Sequence, residues 1–205
     1  ILMGRNCQNP EQVQALVRDL RACVAHPDAP VLIDMEGGRV ARLKPPLWPV
    51  FPSAALIGTL YHYDAALGIE FATLAGKRIG QTLHSLGITV DCAPVLDIGH
   101  AATHDAIGDR AFSGDARAVG LLGHAFAEGL LAAGVLPVIK HLPGHGYAEV
   151  DPHLSLPVVE EDAETVMADF APFRMLAAMP IGMTSHVLFK VFDPELPASQ
   201  SPLIV

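Results

Sequence analysis

The sequence predicts an α/β fold in which short parallel strands alternate with amphipathic helices, and three observations carry that expectation. Helical periodicities and short apolar runs follow one another along the chain. Each apolar run ends in polar residues. Finally, 51% of the 205 residues are hydrophobic and 17% charged, which is enough for one sizeable buried core and hence one domain. Apolar strands placed between helices are covered on both faces, the pattern of parallel βαβ units.

The opening ILM looks like part of a strand. Asn9 is placed to cap a helix with Pro10 at its first position, and Val13, Leu16, Val17, Leu20 and Val24 recur at helical spacing. APVLID, residues 29–34, is the next strand. A second helical pattern holds Ile69, Ala72, Ile79, Leu83 and Leu86, stops at Gly87 and releases ITVDCAPV. A third, with Val119, Leu122, Phe126 and Leu130, stops at Gly134 and releases VLPVIKH. A fourth, from about residue 161 to 178 with Pro172 as a kink, releases IGMTSHV.

Two architectures fit this alternation, an open doubly wound sheet and a (β/α)8 barrel. Asp34 and Glu36 follow VLI, Asp97 follows APVL, Lys140 and His141 follow PVI, and Ser185 and His186 follow GMT. An open sheet gathers ligand groups near its switch point, whereas a barrel collects them from the C-terminal ends of many strands. Polar groups on every strand end favour a TIM-type barrel, present only in part, with about five of its eight strands. Both ends look cut, ILMGRN without an initiator Met and SPLIV without a polar tail. The expectation is one incomplete barrel domain over residues 1–205.

Composition narrows the partners. A net charge of −9 with scattered basic residues argues against nucleic acid and anionic membranes. The longest uncharged apolar stretch, residues 129–139, is about half of the ~20 residues a membrane span needs. Cys7, Cys23 and Cys92 are odd in number and widely spaced, as expected of reduced, mostly buried thiols in a cytoplasmic protein. The common nucleotide-binding loops, GxGxxG and GxxxxGK[ST], do not occur. Nothing in the sequence sets an oligomeric state.

The densest chemistry is KHLPGHGYAEVDPH, residues 140–153. His141 and His145 are four apart, the spacing of a helical zinc site, but Pro143 and Gly144 between them break a helix and no carboxylate stands where such a site needs one. Asp151 and His153 are two apart, so an extended backbone puts them on one side, where the carboxylate can fix the imidazole tautomer and leave the other nitrogen to exchange a proton. DMEGGRVARL, residues 34–43, sets two carboxylates before a glycine turn and then Arg39 and Arg42. GDRAFS supplies Arg110, which either faces a pocket or tethers its loop. Lys140 either faces a ligand or partners an acid.

Together, ILMGRNCQNPEQV, IDMEGGRVARLKPP, APVLDIG, IGDRAFS, IKHLPGHG, VDPHLSLP and MTSHV, in that order and over the whole chain, resemble the N-terminal barrel of glycoside hydrolase family 3. More narrowly they resemble the bacterial β-N-acetylhexosaminidases that recycle cell-wall muropeptides. The resemblance implies that Asp34, Arg42, Arg110, Lys140 and His141 hold the sugar, and that His153 is the general acid/base with Asp151 as its partner. It also implies a retaining hydrolysis of terminal β-linked N-acetylglucosamine that needs no metal and no organic cofactor. Retaining glycosidases usually use two carboxyl groups, and a histidine in the second role avoids a second negative charge beside the nucleophile.

Two departures accompany the resemblance. Pro152 stands where the family has Ser, stiffening the Asp151–His153 stretch. The family's nucleophilic Asp lies after the next strand, beyond Val205. The expectation is therefore that these 205 residues do not turn over substrate and fold poorly with strand edges open. Other readings are a different family 3 specificity such as a β-glucosidase, a catalytically dead sugar-binding module and, from the histidines alone, a metal-dependent hydrolase.

Overall fold

The computed structural model describes residues 1–24, 26–100, 103, 105–148, 150 and 155–204. Helix α1 (Pro10–Cys23) starts where Asn9 accepts a hydrogen bond from the Gln12 N–H at 2.8 Å, and Pro10, with no N–H to lose, fills the first position. Strand β1 (Leu32–Ile33) leads into a hairpin of β2 (Met35–Gly37) and β3 (Val40–Ala41). Helices α2 (Ala54–Tyr63) and α3 (Ala65–Ser85) follow, then β4 (Val90–Asp91), α4 (Ala116–Ala132) and β5 (Leu136–Leu142). The remainder is β6 (Val158–Val159), α5 (Ala163–Asp169), α6 (Ala171–Met175), β7 (Ile181–Thr184) and β8 (Leu188–Phe189).

The main sheet runs β1-β4-β5-β7, every pairing parallel, and Leu2 bridges to Ile33 on the free side of β1. Each strand in chain order therefore adds to the same edge. An open doubly wound sheet would reverse its order at a switch point. Here the order never reverses, so five strand positions of a (β/α)8-type barrel are in place.

Periodicity also fixes what each face of the sheet carries. Leu32 and Asp34, and likewise Val138 and Lys140, are two residues apart along a strand and share a face. On that face Val90, Cys92 and Val138 pack with Leu32, Ile181 and Met183, an apolar layer beneath the charged groups. The opposite face, with Ile33 and Ile139, joins Val13, Val17, Ile79, Leu83, Leu122, Phe126 and Leu130 from the helices in the principal core. A smaller cluster around Val159, Val166, Val187 and Phe189 lies under the β6–β8 pair.

Helices α3 and α4 end as their glycines predict. Gly87 and Gly134 take φ of 78° and 79°, and the residues after them, Ile88 and Val135, donate back to the Leu83 and Leu130 carbonyls. Three expectations need correction. The fourth helical pattern is two helices rather than one kinked helix, because Pro172 has no N–H to continue α5 and instead sits in the first turn of α6. A helix precedes the second pattern where none was expected: α2 ends at Tyr63, and α3 starts at Ala65, where Asp64 accepts from the Ala66 and Leu67 amides. The cysteines are free, but only Cys92 is buried; Cys7 is half-buried and Cys23 exposed.

Candidate active site

Most of the charged groups of the site come from β1, the β2–β3 hairpin and β5, and Arg110 comes from the loop after β4. Asp34 follows β1, Glu36 lies in β2 and Lys140 is near the end of β5. Lys140 is 2% exposed and would be costly to bury alone. Its Nζ meets Glu36 Oε1 at 2.6 Å and Asp34 Oδ1 at 3.2 Å. Burial pushes its pKa down, but the Glu36 and Asp34 charges outweigh that and raise it, so Lys140 is a cation. Glu36 also receives a two-pronged contact from Arg110, with Nε to Oε2 and Nη2 to Oε1 both at 2.8 Å. Arg42 Nη2 reaches Asp34 Oδ2 at 2.9 Å. Burial would raise both carboxyls, yet Lys140 with Arg42 holds Asp34 below its ordinary value, and Arg110 with Lys140 does the same for Glu36.

These side chains border a cavity of about 560 Å³, within the size range of small-ligand sites. Asp34, Arg42, Arg110, Lys140 and His141 all line it. So do Glu36, His145 and Ser185, none of which the resemblance assigns. Among the described residues, the buried side-chain atoms without a hydrogen-bond partner include Arg42 Nε, His145 Nδ1 and Ser185 Oγ, all on residues lining this cavity. Unpartnered buried polar atoms are rare in folded proteins, and their gathering here marks a place where polar groups are not all spent on the protein itself.

Arg110 borders the cavity and is tied to its own loop, and Lys140 borders the cavity and partners two acids. Arg110 is aimed by its loop. Its Nη1 donates to the Ala106 carbonyl at 2.8 Å, while Arg39 Nε pairs with Asp109 at 2.8 Å and Arg39 Nη2 donates to the Ile107 carbonyl at 3.1 Å. His141 closes the end of β5, and its Nδ1 faces Asp97 Oδ2 at 2.6 Å. His141 and His145 are not on a helix; β5 runs to Leu142 and the rings meet edge-on with centroids 5.8 Å apart. Asp151 and His153 lie outside the described residues.

The sequence places Glu36 and Asp97 among the strand-end acids but does not show their pairings, Glu36 with Arg110 and Lys140 and Asp97 with His141. A third buried acid, Asp91, accepts from the Met35 amide through Oδ1 at 2.9 Å and has no partner at Oδ2; burial raises its pKa well above the usual carboxylate range.

Parallel strands in unbroken order, with a charged cavity at their C-terminal ends, define a barrel domain of the enzyme type, its ligand groups contributed by several strands. The family model for the glycosyl hydrolase family 3 N-terminal domain matches residues 1–205, and the chain belongs to that family. A beta-hexosaminidase of Aromatoleum aromaticum is 34% identical over 198 residues, covering 95% of this chain and 55% of that protein. One of Thioalkalivibrio sulfidiphilus is 36% identical over 203 residues, covering 98% and 57%. Among solved structures, NagZ from Neisseria gonorrhoeae in complex with N-trifluoroacetyl-D-glucosamine superposes with a TM-score of 0.92 at 31% identity, over 100% of this chain and 60% of that one. A family 3 beta-N-acetylglucosaminidase from Paenibacillus sp. gives 0.90 at 36% identity, over 100% and 39%. The chain thus spans a little over half the length of the curated relatives it matches.

Proposed function

We propose that this chain supplies the sugar-holding and proton-transferring part of a retaining β-N-acetylhexosaminidase that removes terminal β-linked N-acetylglucosamine from peptidoglycan-derived fragments in the cytoplasm. The observation that carries the reading is the linked set Arg42–Asp34–Lys140–Glu36–Arg110 on one cavity wall. Carboxylates and forked guanidinium groups in fixed register suit a ligand rich in hydroxyls. The family and the beta-hexosaminidase relatives support the reaction class, and the likeness to NagZ in complex with a glucosamine derivative supports the sugar.

In this reading His153 protonates the glycosidic oxygen as the leaving group departs, then takes a proton from the attacking water. Asp151 orients it through the second ring nitrogen. The nucleophile is not one of the cavity carboxylates described here, because each oxygen of Asp34 and Glu36 already holds a cation. It is assigned to a segment the longer relatives have and these 205 residues do not include. Calorimetric titration with N-acetylglucosamine, run beside an assay of nitrophenol release from its β-nitrophenyl glycoside, tests this. The 205 residues are predicted to give binding heat and no nitrophenol. Nitrophenol release would overturn the assignment of the nucleophile, and a folded chain without heat would overturn the sugar reading. In a longer polypeptide that does release nitrophenol, His153→Ala is predicted to lower kcat by about 10²–10⁴-fold; an unchanged rate would remove His153 from the mechanism.

A further inference from the structure

Asp97 is fully buried, with no surface to offer a ligand, yet both of its oxygens are spent on one cavity residue. Oδ1 accepts from the His141 backbone N–H at 3.2 Å, and Oδ2 faces His141 Nδ1 at 2.6 Å. Burial would raise the Asp97 carboxyl, but His141, with His145 nearby, outweighs it and holds the group below its ordinary value. An ionised carboxylate can only accept, so the proton between them belongs to Nδ1.

We propose that Asp97 is a positioning residue: it holds the His141 ring through Nδ1–H, so that whenever the ring carries a single proton Nε2 is left as the acceptor for a ligand hydroxyl. This rests on the reading that the cavity holds a sugar. The Asp34 and Glu36 oxygens already bind Arg42, Arg110 and Lys140, so an Nε2 lone pair joins Ser185 Oγ among the acceptors that border the cavity. A hydroxyl both donates and accepts. A hydroxyl that donates to His141 Nε2 keeps its oxygen free to accept from a cavity cation.

The geometry makes Asp97→Asn a tautomer switch. The His141 backbone N–H donates whatever else happens, so the Asn carbonyl oxygen must take it and the Asn NH2 must face Nδ1. Nδ1 then has to be the lone pair, and the ring proton moves to Nε2. The cavity-facing atom changes from acceptor to donor.

Nitrogen-15 NMR of the histidine rings, above their titration and with His141 assigned by its loss in His141→Gln, reads this directly. Wild type is predicted to show His141 protonated on Nδ1 and Asp97→Asn on Nε2, with N-acetylglucosamine affinity in the variant down roughly ten- to a hundredfold. A wild-type ring protonated on Nε2 overturns the proposal even if the variant does not fold. A tautomer switch with unchanged sugar affinity overturns the acceptor role. A wild-type chain with the Nδ1 tautomer but no sugar affinity leaves Asp97 as the positioning group and sinks the sugar reading instead.

Discussion

Glu36 holds Arg110 through two hydrogen bonds and Lys140 through a 2.6 Å contact, with its side chain 7% exposed and that of Lys140 3% exposed. Removing one charge from so dry a cluster leaves a buried cation under-compensated. Glu36→Gln is therefore expected to cost about 3–5 kcal/mol, read as a fall in the urea midpoint. The same residue sets part of the acid response. Its folded pKa lies below the ordinary glutamate value, so the unfolded chain binds the proton first as the pH falls. The stabilisation is complete above about pH 4.3, the unfolded value, and is lost as the pH drops through the depressed folded value. Stability measured downward from pH 5 should decline less steeply in Glu36→Gln than in wild type. An equal slope would mean that Glu36 is not ionised by its neighbours in the fold. Asp34, lowered by Lys140 and Arg42, contributes in the same direction and keeps the variant's slope from vanishing.

Helix packing decides whether those residues come into register, and α3 against α4 is the tightest contact among the helices. A Cβ on Gly76 would lie 2.1 Å from the Phe126 carbonyl oxygen, and one on Gly129 would lie 2.2 Å from that of Thr73. Both obstacles are backbone, which cannot swing aside. Gly76→Ala and Gly129→Ala are each expected to cost about 1–3 kcal/mol by denaturant unfolding, despite the gain in helix propensity. A neutral result at both would show that the two helices can separate without loss. Other elements were legible to different degrees. Helices α1 and α4 carry apolar stripes and explicit caps, so periodicity found them. Helix α2 buries only Ile57 and Gly58, leaves Leu56 and Tyr63 exposed, and so shows no stripe to detect; its one local signal was Ser53, which accepts from the Leu56 amide at 3.4 Å. Strands β1 and β4 are as short as β6 and β8, two residues each, but they lie in apolar runs released by a helix, a setting β6 and β8 lack.

At the scale of the molecule, the barrel was legible because each strand ends in chemistry, and strand order then distinguishes a barrel from an open sheet. The site was legible through the groups that would reach a ligand: Asp34, Arg42, Arg110, Lys140 and His141 stand around one cavity. The pairings were not. Glu36 meets Arg110 and Lys140, Asp97 meets His141, and which acid meets which partner depends on contacts 74 and 44 residues apart in sequence. No local pattern records such pairings. In the proposed reading this cavity takes N-acetylglucosamine in preference to other small polar ligands. Titrating the folded chain with N-acetylglucosamine and, separately, with glucose decides it: saturable binding of N-acetylglucosamine at least tenfold tighter than glucose is predicted, and equal affinity for the two, or heat from neither, would overturn the reading.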